Sequence, residues 1–343
     1  MEIFNSYKNV IEKALNNDLY NLSDSTKYRY FSKGVTESAI TAINRGYNSS
    51  AYSRDRNSLA LKTTDLEKAA IDMGVMVIPD PEVGLHPDFA HLKGTSNTEN
   101  HYIASAFIDI KNSTRLFSKY DNETIYIITN AIQLLAINIC SVFGGFVQRL
   151  QGDGVFVYFG RKGLEEKRAV MHILSALSLF TYFIKNDVKT LFENKGLDPI
   201  YTRIGIDFGE DKDVLWAMAG KENVSEITTY SLHTSLASKM QGYAKSNQII
   251  IGKNVVDKVM LDTALYSPVE EDRYIYKDPS KSLYYGQFVF DWQKFLSKQS
   301  FVIVSPNSGQ LSLKPNKNIP IYAQQSASLR DVASVNKPYY GKF

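Results

Sequence analysis

Apolar and polar positions alternate most regularly between residues 101 and 295, and that zone predicts a fold. Tyr102–Ile110 reads as a strand, with the apolar run Ala106-Phe107-Ile108 at its centre. Glu123–Phe143 is apolar at helical spacing and stops at Gly144-Gly145, which predicts a long helix. Thr129, Asn130, Gln133, Asn138 and Ser141 interrupt its apolar run, a pattern expected of a buried helix rather than a membrane span. Phe146–Leu150 and Val155–Phe159 flank the turn Gln151-Gly152-Asp153-Gly154 and predict a hairpin. A second long helix is expected over Leu164–Phe192, strands over Tyr201–Phe208 and Val214–Ala219, a helix over Ser231–Tyr243 and a strand over Gln248–Ile251. Strand-helix-strand-strand-helix-strand is the split βαβ order, so the expected fold class is α/β (α+β), ferredoxin-like.

The flanks differ. Residues 1–100 hold helical stretches (Tyr7–Asn16, Thr36–Arg45, Asp65–Met73) between Ser/Asn/Tyr-rich connections, and the segment from Pro79-Asp80-Pro81 to Asn100 reads as a linker. Beyond about residue 296 the chain turns polar, so residues 296–343 are expected to form a polar tail. The expected organisation is a helical extension over 1–100, a catalytic domain over 101–295 and that tail. With 343 residues, 44% of them hydrophobic, the chain can bury a sizeable core. A net charge of +3 argues against a dedicated nucleic-acid binder. One cysteine, Cys140, excludes an intramolecular disulfide and fits a reducing cytoplasm; the first residues carry no signal-peptide pattern. His86, His91 and His101 match no metal template and are expected in surface or loop roles, and Cys140 is expected in the core.

Two acids carry the candidate chemistry. Asp109 ends the apolar run Ala106-Phe107-Ile108 and opens the turn Ile110-Lys111-Asn112-Ser113-Thr114, and Asp153 sits in the hairpin turn. Carboxylates at the ends of adjacent strands can share two hard cations, Mg²⁺ or Mn²⁺, as in-line chemistry on a nucleoside triphosphate requires. Backbone amides of Asn112, Ser113 and Thr114, between strand and helix, can form an anion nest for phosphates. Taken singly, Asp109 also suits a helix cap and Asp153 a plain turn.

In order, F-I-D-I-K-N-S-T, G-G-x-x-x-R-L-Q-G-D-G, R-I-G-I-D-F-G-E and A-S-K-M resemble the catalytic domain of class III nucleotidyl cyclases, the adenylate/guanylate cyclase family, over about residues 101–262. The flanking regions also resemble those of the Pycsar pyrimidine cyclases of bacterial anti-phage defence. The resemblance implies that Asp109, Asp153 and the carbonyl of Ile110 hold two metal ions while a ribose 3′-hydroxyl attacks the α-phosphorus. It also implies a symmetric homodimer: metals bind one protomer, and base and transition-state groups come from the other. No nucleic acid or membrane is expected as partner, and a cyclic-nucleotide effector would be reached only through the product.

Base choice in that family is read at two positions, here Arg149 and Thr228. Arg149 cannot accept the hydrogen bonds a guanine edge offers, so GTP is disfavoured. A guanidinium fork suits the adjacent N3 and O2 of cytosine, and Thr228 can accept from the N4 amine. The order of expectation is CTP, then UTP, then ATP. The family's transition-state Asn and Arg correspond to Ser235 and Lys239, which keep a hydrogen bond and a charge but lose the bidentate arginine geometry. His233 or Arg203 could take over part of that role. This departure leaves open a catalytically inactive cyclase fold that binds nucleotide, and the base order leaves an adenylate cyclase as the other alternative. A polymerase or diguanylate-cyclase palm shares the paired acids, but the latter would want two acidic residues after Gly144-Gly145, where Phe146 and Val147 stand. Tyr47, Tyr52, Arg54 and Arg56 are further residues that could cover the site.

Overall fold

A computed structural model describes residues 2–15, 64–75, 82–269, 276–278 and 283–314. The expected helix over Thr36–Arg45, the segment Pro79–Pro81 and the residues Tyr47, Tyr52, Arg54 and Arg56 lie outside them. Helices α1 (Asn5–Leu15) and α2 (Thr64–Asp72) lead into a 3-10 turn at Pro87–Leu92, the short strand β1 (Glu99–Asn100) and the long strand β2 (Ile103–Lys111). Next come α3 (Ser113–Leu116), α4 (Asn122–Val142), β3 (Gly145–Gln151) and β4 (Gly154–Phe159). Helix α5 (Glu166–Phe183) runs through a π turn at Ile184–Val188 into α6 (Lys189–Asn194). Strands β5 (Tyr201–Gly209), β6 (Leu215–Lys221) and β7 (Val224–Tyr230) precede α7 (Leu232–Tyr243), β8 (Gln248–Gly252) and α8 (Lys253–Val259). The last described elements are β9 (Tyr266–Pro268), β10 (Tyr276–Asp278), β11 (Leu283–Tyr285), β12 (Gln287–Phe290), α9 (Trp292–Ser297), β13 (Val302–Val304) and β14 (Leu311–Leu313).

The main sheet has the order β3-β4-β2-β5-β8-β12-β9. Its first four strands are the expected split βαβ, antiparallel throughout, and β8 joins β5 in parallel. The two faces of β2 differ because side chains alternate along a strand. Ala104, Ala106, Ile108 and Ile110 point into the main core, which α1, α4, α5 and α9 complete. Each fully buried Ile or Phe there contributes about 1.5–3 kcal/mol. Helix α4 is capped by Asp121, whose side chain accepts from the Thr124 amide at 2.8 Å, and Ile128, Ile132, Leu135 and Ile139 bury its apolar face within its own chain. By length and composition its segment Thr124–Val142 could cross a membrane; in the fold it is a core helix.

The opposite face carries Ser105, Phe107 and Asp109, with Arg203, Gly205 and Asp207 beside them on β5. Helix α7 lies over β5 on this face. Gly205 makes the approach possible, since a Cβ there would run into the backbone of Ala237 and Gln241. A second core of Phe89, Leu92, Ile103, Phe146, Phe156, Tyr158, Val214, Trp216 and Ile227 seats the β6–β7 hairpin on the sheet.

Three expectations change. The part of the expected linker that is described, 82–100, is packed structure: Phe89 and Leu92 enter the second core, and Phe89 stacks on Trp216 at 4.0 Å. His86 is not a surface residue; it is fully buried among Phe89, Phe146 and Trp216. A polar tail does not begin at 296, because Phe301, Val302 and Leu311 of the β13–β14 hairpin pack into the main core. Strand β7 was not expected either, its outward positions being polar.

Candidate active site

Asp109 and Asp153 converge at one end of the sheet. The pairing of β2 with β4 ends at Ile108 opposite Val155, so Asp109 and the Gly152-Asp153-Gly154 turn are immediate neighbours. Gly152 has φ +60°, a left-handed conformation that lets the turn close, and Gln133 of α4 donates to the carbonyl of Gly154 at 3.0 Å and that of Gly152 at 3.3 Å. Gly154 keeps the space free: a Cβ there would stand 3.0 Å from the Ile108 carbonyl and 3.7 Å from Asp109 Oδ1.

The two carboxylates are unequally satisfied. Arg203 Nε donates to Asp109 Oδ2 at 2.7 Å, while its Nη1 reaches the Gly242 carbonyl of α7 at 3.0 Å. Asp153 Oδ2 is buried with no hydrogen-bond partner. A buried carboxylate oxygen without a donor is costly unless a cation takes that place, so the donor set fits a hard metal ion. Among the described residues no group of three or more His, Cys, Asp and Glu gathers that could hold a metal. Two carboxylates match the way Mg²⁺ binds when substrate phosphates complete its coordination.

Asn112 caps α3 with φ 71° and makes no side-chain cap bond. Its left-handed backbone followed by the helical Ser113 and Thr114 is a nest geometry. Asp109 is therefore not the helix cap.

The base-reading candidates form a second cluster. Arg149 pairs with Phe156 across the sheet because a β-bulge between Val147 and Arg149 shifts the register. Its Nε donates to Glu226 Oε2 at 3.1 Å and its Nη2 contacts Glu226 Oε1, a side-on bidentate pair. The bulged Gln148 is fully buried and donates from Nε2 to the Ile227 carbonyl at 2.9 Å. Thr228 follows on the same strand, with Tyr158 Oη 3.4 Å from its hydroxyl. A hydroxyl chain locks β7 and α7 to the sheet: Tyr158 Oη to Thr229 Oγ1 at 2.7 Å, on to Thr234 Oγ1 at 3.0 Å and to Ser105 Oγ at 2.9 Å.

Ser235 and Lys239 lie one turn apart on the exposed side of α7; the Ser235 hydroxyl donates to the Ser231 carbonyl at 3.1 Å. His233, near the start of the same helix, is buried. Its Nδ1 meets Asp207 Oδ2 at 3.0 Å, and Tyr285 donates to Asp207 Oδ1 at 2.6 Å. Burial pushes the Asp207 carboxyl up against the pull of those hydrogen bonds. Burial alone would lower His233, but the hydrogen bond to Asp207 and its charge outweigh this and raise it.

Arg149 faces Phe156, Phe156 faces Phe107, and Asp109 lies two residues further along β2. At about 4.8 Å per strand and 3.4 Å per residue, the backbones of Arg149 and Asp109 are about 12 Å apart. Within one chain the metal-type and base-type residues are thus separate clusters on one sheet face. Sequence reasoning did not find Glu226, Gln148 or Gln133, whose roles arise from cross-strand contacts.

No family model matches the chain. A curated protein described as cytidylate cyclase from Staphylococcus aureus is 41% identical over 234 residues, covering 66% of this chain and 54% of the relative. A cytidylate cyclase of Escherichia coli is 31% identical over 259 residues, covering 70% and 56%. The chain is a homologue of the cytidylate cyclases. The resemblance read in the sequence and the expected fold class are borne out. The chain spans about half the length of these curated relatives. Among solved structures, the P. aeruginosa adenylyl cyclase CyaB superposes on the cyclase homologue with a TM-score of 0.48 at 17% identity, over 57% of this chain and 95% of that one.

Proposed function

We propose that the chain is a pyrimidine nucleotide cyclase, converting CTP, and UTP less well, to the 3′,5′-cyclic monophosphate and pyrophosphate. The observation that carries the catalytic part is the buried, unpartnered Oδ2 of Asp153 beside Asp109, on a homologue of cytidylate cyclases. Asp109, Asp153 and the Ile110 carbonyl would hold Mg²⁺ or Mn²⁺. Bound there, a pair of such ions neutralises the triphosphate and lowers the pKa of an attacking hydroxyl.

The chain's own residues do the rest. The amides of Asn112, Ser113 and Thr114 receive phosphate oxygens. Arg203, which balances Asp109 in the free protein, is placed to turn toward added phosphate charge. Arg149 presents two parallel donors to the N3 and O2 edge of cytosine, and Thr228 accepts from the exocyclic amine. Ser235 hydrogen-bonds a ribose oxygen, and Lys239 supplies a positive charge to the reacting phosphate.

From the resemblance we also infer a symmetric homodimer in which each protomer's Arg149, Thr228, Ser235 and Lys239 complete the partner's metal site. The fully buried Cys140 and the absence of any other cysteine accord with a cytoplasmic setting, and a role in anti-phage defence rests on resemblance. Ser235 and Lys239, in place of the family's Asn and Arg, favour one alternative, a nucleotide-binding module without turnover. Product analysis by mass, with each ribonucleotide supplied separately, decides between the two.

A further inference from the structure

Arginine has five N–H donors arranged in two usable forks: side-on through Nε and one Nη, and end-on through both Nη atoms. Glu226 occupies the side-on fork of Arg149. Only the end-on fork remains for a ligand. Without that carboxylate the guanidinium would turn freely and carry an unbalanced charge that any phosphate oxygen could capture.

The surroundings hold this arrangement in place. Arg149 and Gln148 are neighbours at one bulge in β3, and they grip neighbouring residues of β7, Arg149 on Glu226 and Gln148 on the Ile227 carbonyl. β7 belongs to the small sheet and β3 to the main one, so these two contacts add to the second core and the Tyr158 hydroxyl chain in holding one sheet against the other. Thr228 is the next residue along. Glu226 is partly shielded, its side chain 24% exposed against 49% for Arg149, so the acid is the more shielded partner and the base faces outward.

We propose that Glu226 is a specificity-determining residue: by holding the side-on fork of Arg149, it fixes the end-on fork beside Thr228 and so sets which pyrimidine edge is read. This rests on the reading of Arg149 as the base-contacting group. A fixed end-on fork favours cytosine, whose N3 and O2 are adjacent acceptors, over uracil, whose O2 and O4 flank an N–H. Glu226 touches no substrate; it acts through Arg149.

The test compares the parent chain with Glu226→Gln, which keeps size and loses charge, and with Arg149→Lys. Binding of 3′-deoxy-CTP and 3′-deoxy-UTP, which cannot cyclise, is measured by calorimetry with Mn²⁺, and relative kcat/KM for CTP and UTP by competition in one tube. A ratio between two pyrimidines cancels any general loss of folded protein. Glu226→Gln is expected to lower the CTP-over-UTP ratio about tenfold in both assays, and Arg149→Lys to change it at least as much. If Arg149→Lys shifts the ratio and Glu226→Gln leaves it within twofold, the inference about Glu226 is wrong and the reading of Arg149 stands. If neither shifts it, or the parent binds neither analogue, the reading of Arg149 fails and the inference with it.

Discussion

Arg203 Nε and Asp109 Oδ2 are 2.7 Å apart, each held by its own strand at directly opposed positions of β5 and β2. The pair is about a quarter to a third exposed, and ion pairs of that kind contribute about 0–1 kcal/mol. Asp109→Ala should therefore shift the melting temperature by only a few degrees. On the proposed function the same change removes a metal-holding carboxylate and should lower turnover on the order of a thousandfold. A melt and a rate measured on one preparation separate the two effects. A large loss of stability with little loss of rate would make Asp109 a structural residue.

Asp153 leads to a different expectation, since its Oδ2 is buried with no partner. Asp153→Asn should leave the metal-free protein as stable as the parent, or more so, by relieving an uncompensated carboxylate. Mn²⁺ with 3′-deoxy-CTP should stabilise the parent by about 2.7 kcal/mol at a hundredfold excess over Kd, and the variant far less. Differential scanning fluorimetry with and without the ligands reads both arms. Equal stabilisation of parent and variant would remove Asp153 from the metal site.

His86 gives the fold a dependence on acid. Burial lowers its pKa from 6.5 to about 4, against the opposing pull of Asp88 and of the Gly160 carbonyl. The Asp88 amide donates to Nδ1 at 3.3 Å, leaving Nε2 to donate to the Gly160 carbonyl at 3.2 Å, so the neutral ring is the form the fold accepts. As pH falls, the unfolded chain takes up this proton first. The stabilisation is complete above about pH 6.5 and is lost as pH falls toward 4, to a limit of about 3 kcal/mol. His233, whose pKa is raised, works in the opposite sense and loses its contribution as pH rises. His86→Asn should be less stable than the parent at pH 7.5 but show a shallower decline of melting temperature between pH 6.5 and 4.5. An unchanged slope would contradict this account.

Strands β2, β3, β4, β5 and β8 and both acids were legible in the sequence because these strands are strongly apolar and the Gly152-Asp153-Gly154 turn breaks that pattern sharply; β9 and β12, short strands at the far edge, were not expected. Asp109 was visible as an acid at the end of such a strand. The residues around Arg149 were not, because a bulge is one extra residue in an otherwise regular run, and Glu226 and Gln148 acquire their partners only across two sheets. Strand β7 alternates Ile227 and Thr229 inward with Glu226 and Thr228, so its composition resembles a polar loop. His86, Phe89 and Leu92 were read as linker because their apolar partners, Trp216 and Phe146, are far away in the chain. Phe301, Val302 and Leu311 gave no periodic signal within strands of three residues.

Incubating the purified full chain with Mn²⁺ and each of the four ribonucleoside triphosphates in turn, and resolving the products by mass, tests the central claim most directly. The account predicts 3′,5′-cyclic CMP with pyrophosphate as the main product, less cyclic UMP from UTP, and neither from Asp153→Ala. No cyclic mononucleotide from any of the four, or full activity in Asp153→Ala, would contradict it.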